Sequence, residues 1–398
     1  MKKIEQILID VDTIQVIGKL DFIVYDISKN SNEIKSNFLF IAIEGNKYDG
    51  HNYINNAIEH GASSIICEKF PETLLEGITY VKVKSSRKSY AKICCNFFGN
   101  PSKKLKLIGV TGTNGKTTTV SLCHELMLYM GYKSGLISTN TIKINNKNYK
   151  TDLTTPDSYD TNMYLRKMVE LDVNFCFMEV SSHSIHQERI DSLEFFISVF
   201  TNITHDHLNY HGDFKTYLNT KKRLFDNLKN NQKSLVNIDD KNGMYMIQNT
   251  VSETYTMSMK KPADFKLLVI ENSFDGMTLK LDNKEIQTSL IGNFNAYNIL
   301  SVASIAKLLE LNEKNIYKNL TLLQPPNGRF EIIRNERVTA IVDYAHTPDA
   351  LLNVLNTINN ININKSKVIT VIGCGGGRDK NKRKKMGLIA MNNSSFSV

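Results

Sequence analysis

Short apolar runs alternate with amphipathic stretches along most of the chain. Near its start, FLFIAI (38–43) predicts a buried strand, HNYINNAIEH (51–60) a helix closed by Gly61, and residues 64–67 a further strand, together a small α/β unit. FGNPSKK (98–104) then brings glycine, asparagine and proline followed by charge, so it predicts a linker and a boundary near residue 102. LKLIGV (105–110) is an apolar run ending in a glycine-rich turn, and KTTTVSLCHELMLYMG (116–131) predicts a helix closed by Gly131. Strands at 175–180 and 195–200 and helices near 158–171 and 215–228 continue the alternation, which implies a mostly parallel sheet. A hairpin-rich stretch (251–291) precedes a helix over 295–311, and QPPNGRFE (324–331) reads as a second linker. From Val338 a third α/β unit opens, with strands at 338–343 and 368–372. The expected fold class is therefore α/β in three domains, 1–102, 103–324 and 325–398, and no internal repeat is visible.

Composition narrows the function classes without changing this picture. With 398 residues the chain has room for two or three domains of ordinary size. An apolar share of 41% and a charged share of 22% are those of a globular protein rather than a disordered one. No run approaches the ~20 apolar residues of a spanning helix. The start, MKKIEQILIDVDTIQVIG, meets Asp10 and Asp12 before a signal-peptide core could form, so a cytoplasmic protein without a membrane partner is expected. The six cysteines (Cys67, Cys94, Cys95, Cys123, Cys176, Cys374) form no C-x-x-C pair, which speaks against a zinc site or a disulfide framework. A net charge of +9 suits a polyanionic partner. Lysine and asparagine are abundant everywhere, however, and no basic run interleaves with aromatics. A small phosphorylated substrate is thus favoured, and nucleic acid is not expected.

The strongest candidate chemistry is GVTGTNGKTTT (109–119). Successive backbone N–H groups in a glycine turn cradle phosphate oxygens, and the helix that follows adds its dipole. Lys116 would pair with the outer phosphates and Thr117 would offer a hydroxyl to Mg²⁺. The strict Walker pattern requires glycine where Val110 stands; Gly109 and Gly112 make the turn instead. MEVSSHS (178–184) puts Glu179 at the end of an apolar strand, where open α/β sheets present ligand-binding groups and a carboxylate could hold Mg²⁺. In TNITHDHLNYHG (201–212) the spacing of His205, His207 and His211 fits neither H-E-x-x-H nor a zinc finger, so a polar active-site loop is the better reading.

These residues are similar to the motifs of the Mur ligases. TGTNGKTT, TTPDS, EVSSHS, TNITHDHLNYHG, KKRLF, GNFNAYN, GRFE, VDYAHTPDAL and GCGGGRDKNKR stand in that family's order, from about residue 20 to the end. The resemblance implies a three-domain architecture: a small UDP-binding α/β domain, a central phosphate-loop ATPase domain with a mostly parallel sheet, and a Rossmann-like C-terminal domain that carries the incoming amino acid. It implies an ATP- and Mg²⁺-dependent ligase of peptidoglycan synthesis, and so of cell shape and division. The reaction would join meso-diaminopimelate to UDP-N-acetylmuramoyl-L-alanyl-D-glutamate through an acyl phosphate. The alternatives are a lysine-adding ligase of the same family, an inactive homologue that only binds nucleotide or UDP-sugar, and a folylpolyglutamate-synthetase-like enzyme, against which TTPDS and the N-terminal region argue. A monomer is the expectation.

Carried over residue by residue, the resemblance assigns Gly112, Thr113, Asn114, Gly115, Lys116, Thr117 and Thr118 to ATP phosphates, and Thr117 with Glu179 to one Mg²⁺. His207 would hold a second Mg²⁺, and Lys221 matches a lysine that the family carbamylates. Asn295, Arg329, Asp343 and His346 match positions that meet the nucleotide. Ser28, Asn46, Lys47 and Tyr48 match the uridine end of the substrate, and Thr154, Thr155, Ser181, Gln187 and Arg189 the end bearing D-glutamate. Arg378, in RDKNKR (378–383), matches an arginine that contacts the diamino acid. The C-terminal domain reads as incomplete. About sixty residues follow Arg337, where a Rossmann-like domain needs roughly a hundred. MNNSSFSV supplies no closing strand, and the family's D-N-P-R motif would fall beyond Val398. The chain as it stands is expected to bind ATP and the UDP-linked substrate and to ligate little.

Overall fold

The computed structural model describes residues 1–45, 48–139, 141–375 and 381–398, so the expectations for Asn46, Lys47 and Arg378 lie outside the described residues. The chain divides into two compact units. The first comprises Met1–Leu105, Pro156–Asp172 and His183–Glu194; the second comprises Lys106–Thr155, Val173–Ser182 and Phe195–Val398.

In the first unit a five-stranded sheet runs Thr13–Ile17, Thr79–Val83, Ala62–Cys67, Phe38–Ile41, Asp26–Ser28. All neighbours are parallel except Thr13–Ile17, which is antiparallel to Thr79–Val83. Side chains alternate across a strand, so an apolar run can feed two cores. Leu39, Ile41, Ile66 and Val81 pack with Tyr90, Ile93 and Cys94 of the helix Ser86–Phe97 on one face. Phe40, Ile65 and Tyr80 pack with Ile54 and Ala57 of the helix Ile54–Glu59 on the other. The helix expected over 51–60 begins as the tighter turn Gly50–Tyr53, where the Asp49 side chain caps the backbone N–H of His51.

The second unit is built on an eleven-stranded sheet. Its central strands, among them Lys106–Thr111, Phe175–Glu179 and Ile197–Phe200, are parallel, whereas the outer pairs at both ends are antiparallel hairpins. Ile108, Val110, Phe177 and Val199 are buried against Val120, Leu122 and Leu126 of the helix Lys116–Tyr129 and Ala296, Ile299 and Leu300 of the helix Asn293–Leu308. Because parallel strands run the same way, Thr111, Glu179 and Phe200 all end at one edge of the sheet, where the site is assembled.

Residues after 325 continue the second unit with the hairpin of Glu331–Arg334 and Thr339–Val342. The helix Pro348–Ile361 packs on the helix Asn381–Asn393 through Leu351, Leu355, Met386 and Ile389. One expectation needs correcting here: MNNSSFSV does carry a strand. Phe396–Ser397 pairs in parallel with Ile369–Thr370, and the Val398 N–H donates to the Thr370 carbonyl at 2.8 Å. Two residues are too few for an alternation of apolar and polar positions to be read. Among the described residues no helix is long and apolar enough to cross a membrane.

Candidate active site

The strand Lys106–Thr111 turns through 112–115 into the helix Lys116–Tyr129. Gly112 (φ +155°) and Gly115 (φ +87°) both have a positive φ that disfavours a side chain, and space forbids one at Gly112 and crowds one at Gly115. A Cβ would stand 1.9 Å from Thr201 Oγ1 at Gly112 and 2.7 Å from Asn298 Oδ1 at Gly115. The turn is held from outside by residues of the TNIT segment. The Thr113 N–H donates to the Asn202 carbonyl at 2.9 Å, the Asn114 N–H to Asn202 Oδ1 at 2.9 Å, and the Thr201 hydroxyl to the Asn114 carbonyl at 2.7 Å. Lys116 curls back on its own loop, donating from Nζ to the carbonyls of Gly112 (3.0 Å) and Thr113 (2.8 Å). Burial pushes its pKa down, against the pull of Glu179 and Asp206. Lys116 thus spends its donors on its own loop carbonyls.

Opposite the loop, Glu179 is buried at its strand end. Its described hydrogen bonds all fall on Oε1, from the Ser138 hydroxyl, the Thr139 N–H (2.9 Å) and the Thr139 hydroxyl (3.2 Å). Oε2 takes part in none of these bonds. Lys221 is 1% exposed on the helix Phe214–Asp226, and its Nζ donates to Gly112 O at 2.9 Å and Thr111 Oγ1 at 3.3 Å. Two lysines therefore share one carbonyl oxygen. Burial, and then the charge of Lys116, hold the Lys221 pKa well below the lysine range despite Asp206.

The three histidines of the TNITHDHLNYHG segment form no metal-holding group among the described residues. His211 Nε2 lies 3.0 Å from the Ser182 hydroxyl, His207 Nε2 lies 3.2 Å from Asp206 Oδ2, and His205 is exposed. His207 adopts a left-handed backbone (φ 54°), an unusual conformation for a residue with a side chain. Buried Asp206 also lies 3.9 Å from His346 Nε2. Burial alone would raise its pKa, but His207, His346, Lys382 and Lys116 bring it below the usual carboxylate range. Sequence reasoning passed over Asp206. The available signal was a carboxylate between two histidines in a loop that follows an apolar strand.

The donors suit a hard cation in part. The Thr117 hydroxyl, Glu179 and the His207 imidazole could hold Mg²⁺ with phosphate oxygens and water, but Lys221 as it stands brings no anionic oxygen to it. The nucleotide candidates lie in the same unit. Asn295 donates to the Ile291 carbonyl (2.9 Å) and accepts at Oδ1 from Asn298 (3.0 Å). Arg329 donates from Nη2 to Thr117 Oγ1 at 2.9 Å and stacks over the Tyr344 ring at 4.7 Å. Asp343 Oδ2 accepts the Phe330 N–H at 2.8 Å, and burial raises its pKa. The His346 pKa is lowered by burial. Thr118 is buried in the first turn of the loop helix. Thr154, Thr155 and Ser181 cluster at the Glu179 strand end, where the Thr155 hydroxyl donates to the Glu179 carbonyl at 2.8 Å and the Thr139 hydroxyl to Thr154 Oγ1 at 3.1 Å.

The first unit carries its own cavity of about 570 Å³, and Tyr48, Gln187 and Arg189 line it. Arg189 is fixed by two donations to Gln187 Oε1, at 3.0 Å from Nε and 2.5 Å from Nη2. Ser28 does not line the cavity. It orders its own loop, whose residues Asn30, Ser31 and Asn32 line the cavity, accepting from the Asn30 N–H and donating to Glu33 Oε2, both at 3.0 Å.

Three family models match successive stretches of the chain: Mur ligase family, catalytic domain (24–97), Mur ligase middle domain (110–306) and Mur ligase, glutamate ligase domain (328–395). A relative from Bacteroides fragilis, named UDP-N-acetylmuramoyl-L-alanyl-D-glutamate--2,6-diaminopimelate ligase, is 47% identical over 382 residues, covering 96% of this chain and 79% of its own. A ligase of the same name from Cytophaga hutchinsonii is 44% identical over 398 residues, all of this chain and 82% of that one. A solved structure of a ligase of that name superposes with a TM-score of 0.78 at 26% identity, covering 96% of this chain and 80% of the other. Similarity of this degree, running through all three family models and across the loop, the Glu179 strand and the Lys221 helix, leaves one conclusion: the chain belongs to the Mur ligase family.

Proposed function

We propose that the chain joins meso-diaminopimelate to UDP-N-acetylmuramoyl-L-alanyl-D-glutamate at the expense of ATP, in peptidoglycan synthesis and hence in cell shape and division. The observation that carries this reading is the meeting of Lys116 and Lys221 on Gly112 O, beside a buried Glu179, at the end of a parallel sheet. Relatives 44% and 47% identical to this chain bear that activity in their names.

A carboxylate does not accept an amine directly. The D-glutamyl carboxylate first attacks the γ-phosphorus of ATP, giving an acyl phosphate and ADP; the amine then attacks the acyl carbon and expels phosphate. Lys116 swings from its own loop carbonyls to the phosphate oxygens and follows the phosphoryl group as it moves. Arg329 and His346 approach the nucleotide from the C-terminal part of the unit. Thr117, Glu179, His207 and a carbamylated Lys221 would hold Mg²⁺, which when bound neutralises phosphate charge. The depressed pKa of Lys221 leaves its amine free to add to CO₂, releasing a proton and forming a carbamate. That anion turns its repulsion with Lys116 into attraction. The first-unit cavity takes the UDP-linked substrate, and the protein acts as a cytoplasmic monomer.

The test is phosphate release with ATP and the UDP-linked dipeptide, with either meso-diaminopimelate or L-lysine added. Greater stimulation by meso-diaminopimelate, with one amide formed per phosphate, is expected. A preference for lysine would overturn the choice of amino acid, and no dependence on the UDP-linked substrate would overturn the whole reading.

A further inference from the structure

The resemblance assigns groups to the uridine and the D-glutamyl ends of the substrate but none to the diphosphate between them. The cavity of the first unit contains the missing chemistry. Among the described residues that line it, Lys29, Arg87 and Arg189 are cations and Asp157 is a carboxylate, which leaves an excess of positive charge for an anionic ligand. Arg189 is held on Gln187, and Arg87 donates from Nη2 to the Glu44 carbonyl at 2.6 Å.

Lys29 is presented differently. Its Nζ donates to Asp157 Oδ2 at 2.5 Å and sits 5.5 Å from the centroid of the Tyr90 ring. Asp157 is itself fixed: Oδ2 also accepts the Tyr90 hydroxyl at 3.3 Å, and Oδ1 caps the Asp160 N–H at 3.1 Å at the start of the helix Ser158–Glu170. An ammonium has three N–H donors. One goes to Asp157, while the Lys29 side chain remains 46% exposed toward the cavity. The side chain is therefore oriented before a ligand arrives, with donors left over. Lys29 also follows Ser28 directly in the chain and shares the cavity with Tyr48, both matched to the uridine end. The diphosphate is bonded to the uridine and must lie next to it.

We propose that Lys29, aimed by Asp157 and Tyr90, takes an oxygen of the substrate's diphosphate and so sets the affinity for UDP-linked over uncharged uridine ligands. The inference rests on the reading of the cavity as the UDP-substrate site.

Equilibrium binding of uridine and of UDP to the full chain tests it. Wild type binds UDP more tightly than uridine. In Lys29→Met that advantage falls about tenfold, as the loss of a charge-assisted hydrogen bond implies, and the salt dependence of UDP binding flattens, while uridine binding is little changed. Lys29→Arg retains most of the advantage. Asp157→Asn, which keeps the ammonium but loosens its hold, gives an intermediate loss. An undiminished UDP advantage in Lys29→Met overturns the assignment of Lys29 while the cavity reading stands. A wild type that binds uridine as tightly as UDP overturns the cavity reading and the inference together.

Discussion

Lys221 is buried without a carboxylate partner among the described residues, bonded instead to a carbonyl and a hydroxyl, with Lys116 on the same carbonyl. Such a group is costly to keep as a cation, and conversion to a carbamate would relieve the cost while supplying an oxygen ligand. Lys221→Ala should therefore lower the rate of phosphate release at least a thousandfold, about 4 kcal/mol of barrier. Lys221→Glu, or Lys221→Ala with added acetate, should recover part of the rate. Full activity of Lys221→Ala under initial-rate assay would remove the carbamate from the account. A bare reading of the sequence makes Lys221 one lysine among many on a Lys-rich helix. The helical period held better information: Tyr217, Thr220, Lys221, Leu224 and Phe225 form one buried stripe, and a lysine inside an apolar stripe is the anomaly worth following.

At the scale of elements, the helix Lys116–Tyr129 joins the phosphate loop to the core, and it carries a buried histidine. His124 Nδ1 lies 2.9 Å from the Ser134 hydroxyl, and burial, reinforced by Lys143, pushes its pKa down to about 4. The unfolded chain, with an ordinary histidine near 6.5, binds the proton that the folded chain refuses. Stability should thus be level above about pH 6.5 and fall by up to about 3 kcal/mol between there and pH 4. Denaturant unfolding across that range should show the fall in wild type and less of it in His124→Gln; identical pH profiles would contradict the burial argument. The loop itself was legible because Gly112 and Gly115 mark positive-φ positions and the flanking strand and helix have clear periods. The edge hairpin of Thr141–Ile144 and Lys147–Lys150 was not, because its strands are four residues long and half exposed, so few apolar positions mark them. The Phe396–Ser397 strand escaped for the same reason.

For the whole molecule, the uridine diphosphate end of one substrate of the proposed reaction is assigned to the cavity of the first unit and ATP to the loop of the second, while Thr154, Thr155 and Ser181, matched to the D-glutamyl end, belong to the second unit. Lys116→Ala should accordingly abolish phosphate release yet leave UDP affinity within about twofold of wild type, since Lys116 is not among the described residues that line the cavity assigned to UDP. Calorimetry with UDP reads this directly; a matching loss of UDP affinity would mean that the two sites are not independent. The alternation of strands and helices was readable from the sequence, but the return of Pro156–Asp172 and His183–Glu194 to the first unit was not, because helical period says nothing of which sheet a helix packs against. In the proposed reaction ATP activates the D-glutamyl carboxylate. The most direct test of this step omits the amine and traps the intermediate with hydroxylamine. With ATP, Mg²⁺ and UDP-N-acetylmuramoyl-L-alanyl-D-glutamate, a hydroxamate of the UDP-linked dipeptide should form with wild type and not with Lys116→Ala. Absence of any hydroxamate from wild type that binds both substrates would contradict it.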